Sequence, residues 1–222
     1  RSYARRGRRS LMLKIAVLVS GGGTNLQALI DAERRGEIPN GKIALVVASR
    51  PDAYALSRAE KAGILTKVLV RKTFSEQEEY DCALISLLKE NKIDLIVLAG
   101  FMTIISERVI KEYKNRIMNI HPSLIPSFCG EGYFGLHVHE AALKRGVKVT
   151  GATVHLVNEV CDGGPILLQK AVEVEPNDTP ETLQRRVMEQ AEWKLLPQAV
   201  ALFCAGKIQV IDGKAIIRED NK

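Results

Sequence analysis

Short apolar runs alternate with longer amphipathic stretches along this chain, and that alternation limits its fold more than any other feature. Residues 14–19 read KIAVLV and residues 94–99 read DLIVLA, each short and almost uniformly apolar. Such runs are typical of strands buried on both faces in a parallel sheet. Because strand and helix patterns alternate and no repeat or linker divides them, we predict one α/β domain with a doubly wound, mostly parallel sheet.

The same periodicities place the individual elements. Strands are predicted at residues 14–19, 43–48, 65–70, 94–99, 116–120, 149–157 and 166–174, with a terminal hairpin at 208–211 and 215–218. Helices are predicted at residues 24–35, 52–62, 73–91, 106–113, 136–145 and 179–204. Thr24 with Gln27, and Thr73 with Glu76, have the spacing of capping boxes.

The net charge of +6 suggests a polyanion partner only until it is localised. Five arginines lie in residues 1–11, so the rest of the chain carries a net charge of +1. We therefore expect a disordered or non-native tail at 1–11, a domain at 12–222, and no nucleic-acid partner.

No run reaches the roughly 18 apolar residues of a membrane span. The four cysteines lack CxxC spacing, which favours a reducing cytoplasm.

The first predicted strand runs directly into the glycine-rich segment 20–25, SGGGTN. At a strand-to-helix turn, free backbone N–H groups and the positive end of the helix dipole favour an anion. The segment lacks the lysine of a P-loop and the spacing of GxGxxG, so neither ATP nor a dinucleotide is predicted. A single phosphate, as on a sugar phosphate, suits it better. A tight turn without a ligand is the alternative.

A second candidate site lies at residues 119–126, NIHPSLIP, with Asp162 in a DGGP segment 41 residues beyond His121. His121 follows a predicted strand, where α/β folds place their clefts, and Asn119 projects to the same side. The amide and a protonated imidazole could both donate to an oxyanion, while Asp162 could keep the imidazole charged and accept a proton. A structural histidine is the alternative.

The remaining histidines and the cysteines give weaker indications of function. His137 and His139 lie two residues apart at a predicted helix start and lack a third ligand, so no metal site is predicted. His155 lies inside a predicted strand and is expected to be a packed core residue. The cysteines have no partners for nucleophilic catalysis, and Cys161 is taken as incidental beside Asp162.

Four segments together resemble the phosphoribosylglycinamide formyltransferases of purine biosynthesis. They are VLVSGGGTNLQALIDA, DLIVLAGFM, MNIHPSLIPSF and VNEVCDGGPILLQ, in the family's order across residues 12–205. The glycine-rich opening narrows the resemblance to the glycinamide ribonucleotide branch of folate-dependent formyltransferases. The resemblance implies a Rossmann-like formyltransferase fold. It also implies transfer of formyl from the co-substrate 10-formyltetrahydrofolate to the glycine amine of 5-phosphoribosylglycinamide.

The resemblance also implies residue roles. Asn119 and His121 would stabilise an oxyanion, while Asp162 would keep His121 protonated and help move the amine proton to the leaving folate nitrogen. The expected phosphate-binding residues are Gly23, Thr24 and Asn25, and the expected ribose-binding residues are Glu189, Gln190 and Glu192. The expected folate-binding residues are Gln77, Met102, Thr103, Ile104, Ile105, Asn119, Asn158, Glu159, Val160, Cys161 and Asp162.

Two departures from the family concern the folate side of the expected site. The family often carries an arginine near the start of the third helix that contacts folate, and Gln77 occupies that position here. The family's short link after the SLxP motif is expanded to residues 127–134, SFCGEGYF. We expect this extra loop to border the active site.

Three alternatives remain at this point. Formyltetrahydrofolate deformylase shares the catalytic set but uses water as acceptor and has an added N-terminal domain, for which residues 1–11 leave no room. Methionyl-tRNA formyltransferase has a C-terminal RNA-binding domain that this near-neutral body lacks. A catalytically silent sugar-phosphate module would be expected to have lost His121 or Asp162. We expect small-molecule partners, no membrane contact, and a monomer or homodimer.

Overall fold

The computed structural model describes residues 12–219, so the predicted tail at 1–11 lies outside the described residues. The strands are β1 (Leu13–Val19), β2 (Gly41–Ala48), β3 (Leu65–Val68), β4 (Leu95–Leu98), β5 (Ile117–His121), β6 (Val149–Leu156), β7 (Ile166–Glu173), β8 (Ile208–Ile211) and β9 (Lys214–Ile217). The helices are α1 (Thr24–Arg34), α2 (Tyr54–Lys61), α3 (Gln77–Glu90), α4 (Glu107–Glu112), α5 (Leu136–Arg145), α6 (Pro180–Val187) and α7 (Trp193–Cys204).

Seven strands form one sheet in the order β3-β2-β1-β4-β5-β6-β7. The first five in this order pair in parallel, whereas β5–β6 and β6–β7 are antiparallel. The predicted doubly wound, mostly parallel sheet is therefore confirmed, with the apolar β4 at its centre. Strand order reverses between β1 and β4, and doubly wound folds bind ligands beyond the carboxyl ends of strands at such a point.

Burial on both faces of the sheet explains the uniformly apolar strands. Ile15, Val17 and Val19 pack into the core that includes α1 and α7, while Ala16 and Leu18 pack into the core that includes α3 and α4. All five side chains are fully buried. Because neighbouring residues of a strand project to opposite faces, a strand between two helical layers has no polar side.

The C-terminal hairpin β8–β9 pairs antiparallel, as predicted. None of the helices within residues 12–219 is both long enough and apolar enough to cross a membrane.

The helix starts differ from the predicted capping boxes. The N-cap of α1 is Gly23, no side chain caps this end, and the Gln27 amide donates to Asp31. The capping box at Thr24 is therefore wrong. At α3 the box lies three residues later than predicted and joins Glu76 to Glu79. A left-handed glycine lets the chain enter α1 without a side-chain cap.

The predicted single helix at 179–204 is interrupted. Thr179 caps α6 as predicted, but Met188–Glu192 forms a π-helical turn before α7 begins. Pro197, inside α7, has no N–H to donate back to residue 193, so the ladder is incomplete there. The wide turn directs Glu192 inward, where it is 5% exposed. Single π turns are frequent at functional sites.

Candidate active site

Three candidate segments meet at one edge of the sheet because they follow the carboxyl ends of neighbouring parallel strands. The glycine-rich segment follows β1, the segment beginning near Met102 follows β4, and His121 ends β5. The Ser20 hydroxyl accepts the Met102 backbone N–H at 2.8 Å and lies 2.6 Å from the Ser49 hydroxyl. Buried Ser20 thus ties the first segment to the second.

The glycine-rich segment 20–25 forms a turn at the start of α1, called the cradle below, that could hold an anion. Gly23 has φ 72°, and a Cβ on it would lie 2.6 Å from the Ala55 Cβ. The first N–H groups of α1 have no acceptor within the helix, so they are free to bind an anion. Arg58 donates from Nε to the Gly22 carbonyl at 2.7 Å, which holds a cation beside the cradle. Sequence reasoning missed Arg58, because only the fold brings α2 to this turn.

Glu192 and Asn25 meet under the cradle. The Asn25 amide donates to the Glu192 carboxylate at 2.7 Å, and the buried Asn25 Oδ1 has no hydrogen-bond partner among the described residues. The structure therefore places one of the predicted ribose residues, Glu192, beside the predicted phosphate residues. Glu189 and Gln190 are exposed, and neither has a hydrogen bond to the cradle within residues 12–219.

Burial raises the pKa of Glu192 to about 7, and the hydrogen bond from Asn25 offsets only part of this rise. A carboxyl group whose pKa is raised by folding stabilises the folded state at pH values below its pKa in the unfolded chain, near 4.5. This stabilisation is lost as the pH rises through 7. Glu192→Gln removes this titration while keeping an acceptor for Asn25. We expect the free energy of unfolding of Glu192→Gln, relative to that of the wild type, to rise by at most about 3 kcal/mol between pH 4.5 and 7.5. Denaturant unfolding at both pH values measures the difference.

The comparison must be made between variants, because a second buried group acts in the opposite direction. Burial, together with nearby His121, lowers the pKa of His139 to about 4, so its contribution is lost as pH falls from 6.5 to 4. The stability–pH profile of the wild type alone would combine the contributions of Glu192 and His139. Parallel stability–pH curves for the wild type and Glu192→Gln would contradict a titrating Glu192.

The three predicted catalytic residues lie together. Asn119 and His121 stand on one face of β5, and the loop after β6 places Asp162 over them. His121 Nδ1 is 3.5 Å from Asp162 Oδ2, and both side chains are largely buried. Asp162 has φ 53°, a left-handed conformation that Asp and Asn adopt more readily than most residues.

The protonation of the pair differs from the sequence expectation. Burial lowers the pKa of His121, and the attraction of Asp162 and the Phe128 carbonyl only partly offsets it. For Asp162, burial opposes ionisation, but the nearby His155 ring, the hydrogen bond from the Gly130 N–H and the proximity of His121 outweigh it, so its pKa is lowered. The free site therefore favours a neutral imidazole beside a carboxylate, instead of the expected imidazolium.

The expanded loop at 127–134 borders the site, as expected, and it does so through its backbone. The Phe128 carbonyl accepts from His121 Nε2 at 2.8 Å, and the Gly130 N–H donates to Asp162 Oδ2 at 2.9 Å. The Nε2–H of His121 is thus directed at the protein in the free site. No side-chain pattern in the sequence could have revealed these two contacts.

His155 belongs to the site, and its description as a packed core residue is incomplete. It is 2% exposed, yet its Nε2 lies 3.1 Å from Asn119 Nδ2 and 3.5 Å from Asp162 Oδ1. Asn119 and His155 are direct cross-strand partners in the β5–β6 pair. The sequence signal that could have found His155 is this antiparallel pairing, which single-strand patterns do not reveal.

The other two histidines, His137 and His139, lie in no metal-binding group among the described residues. His139 is fully buried and both of its ring nitrogens lack a hydrogen-bond partner among the described residues, while exposed His137 contacts Glu140 at 3.0 Å. Across residues 12–219, no group of three or more His, Cys, Asp or Glu side chains is placed to hold a metal ion.

Apart from Gln77 on α3 and Asn119 on β5, the predicted folate residues lie in two loops, and several of them present apolar surface. Met102 and Ile104 in the loop after β4, and Val160 in the loop after β6, are 56%, 85% and 64% exposed. Thr103 and Ile105 are partly buried in the first loop, and in the second Asn158 is partly buried while Glu159 and Cys161 are exposed. Exposed apolar side chains in loops next to these polar residues suit a flat aromatic ligand.

Gln77 does not stand alone at the start of α3. Its Oε1 accepts from Arg71 Nε at 2.7 Å, and its amide donates to the buried Asp81 carboxylate at 2.8 Å. Asp81 also accepts from the Ser106 hydroxyl at 2.6 Å, directly after the folate-side loop. The guanidinium of Arg71, from the preceding turn, therefore lies beside the position at which the family's arginine was expected.

A sheet of this topology, with an Asn–His–Asp site and an anion cradle on one edge, defines an α/β group-transfer enzyme. The chain belongs to the formyl transferase family, whose model matches residues 13–200. It is 43% identical over 211 residues to phosphoribosylglycinamide formyltransferase of Haemophilus influenzae, covering 92% of this chain and 96% of the relative. Glycinamide ribonucleotide transformylase 1 from Symbiobacterium toebii has a similar structure, with TM-score 0.89, 38% identity, and 98% and 99% of the two chains covered.

A formyltetrahydrofolate deformylase from Pseudomonas syringae is a more distant neighbour. Its structure matches with TM-score 0.84 at 26% identity, covering 93% of this chain and 66% of that one. The deformylase shares the fold, but the sequence identity of this chain to the transferases is clearly higher.

Proposed function

We propose that this chain transfers the formyl group of 10-formyltetrahydrofolate to the amine of 5-phosphoribosylglycinamide, in purine biosynthesis. The observation that carries the proposal is that three features meet along one edge of the sheet. They are the cradle, the Asn119–His121–Asp162 set and an apolar wall, which is formed by the exposed side chains of Met102, Ile104 and Val160. Relatives that match nearly the whole chain are named for this enzyme. The four described cysteines are unpaired, which suits a reducing cytoplasm.

The acceptor's phosphate is bound by the N–H groups at Gly23, Thr24 and Asn25, with the Arg58 guanidinium beside them. Its ribose hydroxyls donate to Glu192 and to the unpaired Asn25 Oδ1. A buried acceptor without a partner costs free energy, so a hydroxyl that satisfies it binds favourably. We assign Glu189 and Gln190 a place on the exposed rim only.

The reaction proceeds through a tetrahedral intermediate. The amine nitrogen attacks the formyl carbon, a new C–N bond forms, and the carbonyl oxygen becomes an oxyanion that Asn119 stabilises by donation. The proton that the amine loses passes to the Asp162–His121 pair and then to N10 of the folate. The C–N10 bond breaks as the carbonyl re-forms.

The lowered pKa of His121 in the free site makes its stabilisation selective for the transition state. A developing oxyanion adds negative charge near the imidazole, which raises the imidazole pKa during the reaction. His121 therefore becomes an imidazolium as the intermediate forms, and the interaction is stronger there than with bound substrate. To reach the oxyanion, its Nε2–H exchanges the Phe128 carbonyl for the new acceptor.

The donor binds against the apolar wall with its pterin beside Met102, Ile104 and Val160. Its glutamate carboxylates face Arg71, which Gln77 orients through Nε. Gln77 thus acts on the donor by holding a guanidinium rather than by charge of its own. A planar guanidinium suits bidentate binding of a carboxylate.

The test is formyl loss from 10-formyltetrahydrofolate, measured with and without 5-phosphoribosylglycinamide. We expect turnover only with the acceptor present, and the formyl group recovered on its amine. Formate release at the same rate in both reactions would identify a deformylase. Folate binding with no turnover in either reaction would identify a silent module.

A further inference from the structure

We propose that His155 is a positioning residue that orients the Asn119 amide, so that its nitrogen rather than its oxygen serves the reacting carbonyl. The proposal rests on the proposed formyl transfer for its kinetic consequence. Asn119 and His155 are opposite each other in the antiparallel β5–β6 pair, where side chains of directly paired residues share one face. A register shift between Val154 and His155 in the β6–β7 pairing lies at the same position. Bulges of this kind re-aim side chains beside active sites.

The hydrogen bonds of His155 fix which ring nitrogen carries a proton. Nδ1 lies 2.9 Å from the Leu156 carbonyl, and a carbonyl oxygen only accepts, so Nδ1 carries the hydrogen. In the neutral ring, Nε2 then holds a lone pair, 3.1 Å from Asn119 Nδ2. An amide oxygen in that place would face the lone pair without a hydrogen between them. Nε2 therefore selects the amide orientation in which Asn119 donates, and leaves the second N–H of that amide for the substrate.

Asp162 competes for the same nitrogen. A protonated Nε2 could donate to Asp162 Oδ1, 3.5 Å away, and Asn119 would then have to turn its oxygen towards His155. The Asn119 contact is the shorter by 0.4 Å. Asp162 also has other partners, since Gly130 N–H donates to its Oδ2 at 2.9 Å and His121 lies nearby. The geometry thus favours the state in which His155 accepts from Asn119.

Two substitutions at one position separate the two ends of the imidazole. In His155→Gln the terminal amide lies near the Nε2 position and its oxygen accepts from Asn119. In His155→Asn the shorter side chain reaches only the Leu156 side. We expect His155→Gln to keep kcat within about threefold and His155→Asn to lower kcat at least tenfold, with little change in KM, since loss of one oxyanion donor costs about 10²–10³ in kcat. Equal losses in the two variants would overturn the role of Nε2 as an acceptor.

A double-mutant cycle tests whether His155 acts through Asn119. In an Asn119→Ala background we expect His155→Asn to change kcat by less than about twofold, because the amide it orients is gone. A full tenfold loss in that background would overturn the proposal. Circular dichroism and thermal unfolding of each variant show that the comparison is between folded proteins.

A spectroscopic measurement on the free wild type keeps this inference separate from the proposed reaction. Nitrogen-15 NMR of labelled histidines, with His155→Gln used for assignment, reports which ring nitrogen is protonated. From the hydrogen-bond geometry we expect the ring hydrogen of His155 on Nδ1 and a lone pair on Nε2. A protonated Nε2 would overturn the orientation mechanism even if formyl transfer occurs. The expected pattern with no formyl transfer would instead leave the orientation intact and reject the reaction.

Discussion

Asp162→Asn is expected to lower kcat for formyl transfer by about 10³-fold while leaving the KM values of both substrates within a few-fold. A positioned proton-transfer group contributes about 10²–10⁴-fold, and the amide can neither take the amine proton nor balance an imidazolium at His121. Asn keeps the shape of the side chain, and its Oδ1 can still accept the Gly130 N–H. It also tolerates the φ of 53° that this position requires. Stopped-flow measurement of a single turnover separates the chemical step from product release.

Asp178→Asn provides the matched control. Asp178 is another buried carboxylate, but it pairs with Arg186 at 2.5 Å and has no contact with the catalytic residues among the described ones. Hydrogen bonding to Arg186 lowers the pKa of Asp178 to about 2. We expect this variant to lose stability and keep kcat, the reverse of Asp162→Asn. Turnover near the wild-type rate in Asp162→Asn would remove Asp162 from the mechanism.

Much of the fold and the centre of the site could be predicted because their signals are local. The run at residues 94–99 is almost uniformly apolar, and the central strand β4 lies within it. Asn119 and His121 share a face because strand residues two apart always do. The carboxyl ends of parallel strands meet at one edge, so the glycine-rich turn after β1 and His121 at the end of β5 had to lie on the same side of the sheet.

What could not be predicted depends on contacts between distant segments or on the backbone. His155 meets Asn119 only through the register of an antiparallel pair. Phe128 and Gly130 act through a carbonyl and an N–H, which every residue has. The direction of the His121 pKa was missed because it depends on burial, which opposes the effect of Asp162, and burial follows from packing rather than from the motif.

Gly23→Ala is expected to raise the KM for 5-phosphoribosylglycinamide by about 10- to 100-fold and to lower stability. A Cβ at this position would lie 2.6 Å from the Ala55 Cβ and 2.8 Å from its Cα, so the turn or α2 must move. The left-handed φ of 72° adds about 1–2 kcal/mol of strain for alanine. Either change displaces the N–H groups at the start of α1, and each hydrogen bond to a charged phosphate is worth about 1.5–3 kcal/mol. Steady-state kinetics with each substrate varied in turn measures the effect.

Gly21→Ala is the control, since a Cβ there would have no neighbour within 4 Å and Gly21 does not have a left-handed φ. We expect it to fold like the wild type and to have a smaller effect on the acceptor KM. The KM for 10-formyltetrahydrofolate should change little in either variant, because the apolar wall that contacts the folate lies on other loops. A dephosphorylated acceptor should be used equally poorly by the wild type and Gly23→Ala, since it cannot use the cradle. An unchanged acceptor KM in Gly23→Ala, or the same increase in both glycine variants, would place the phosphate elsewhere.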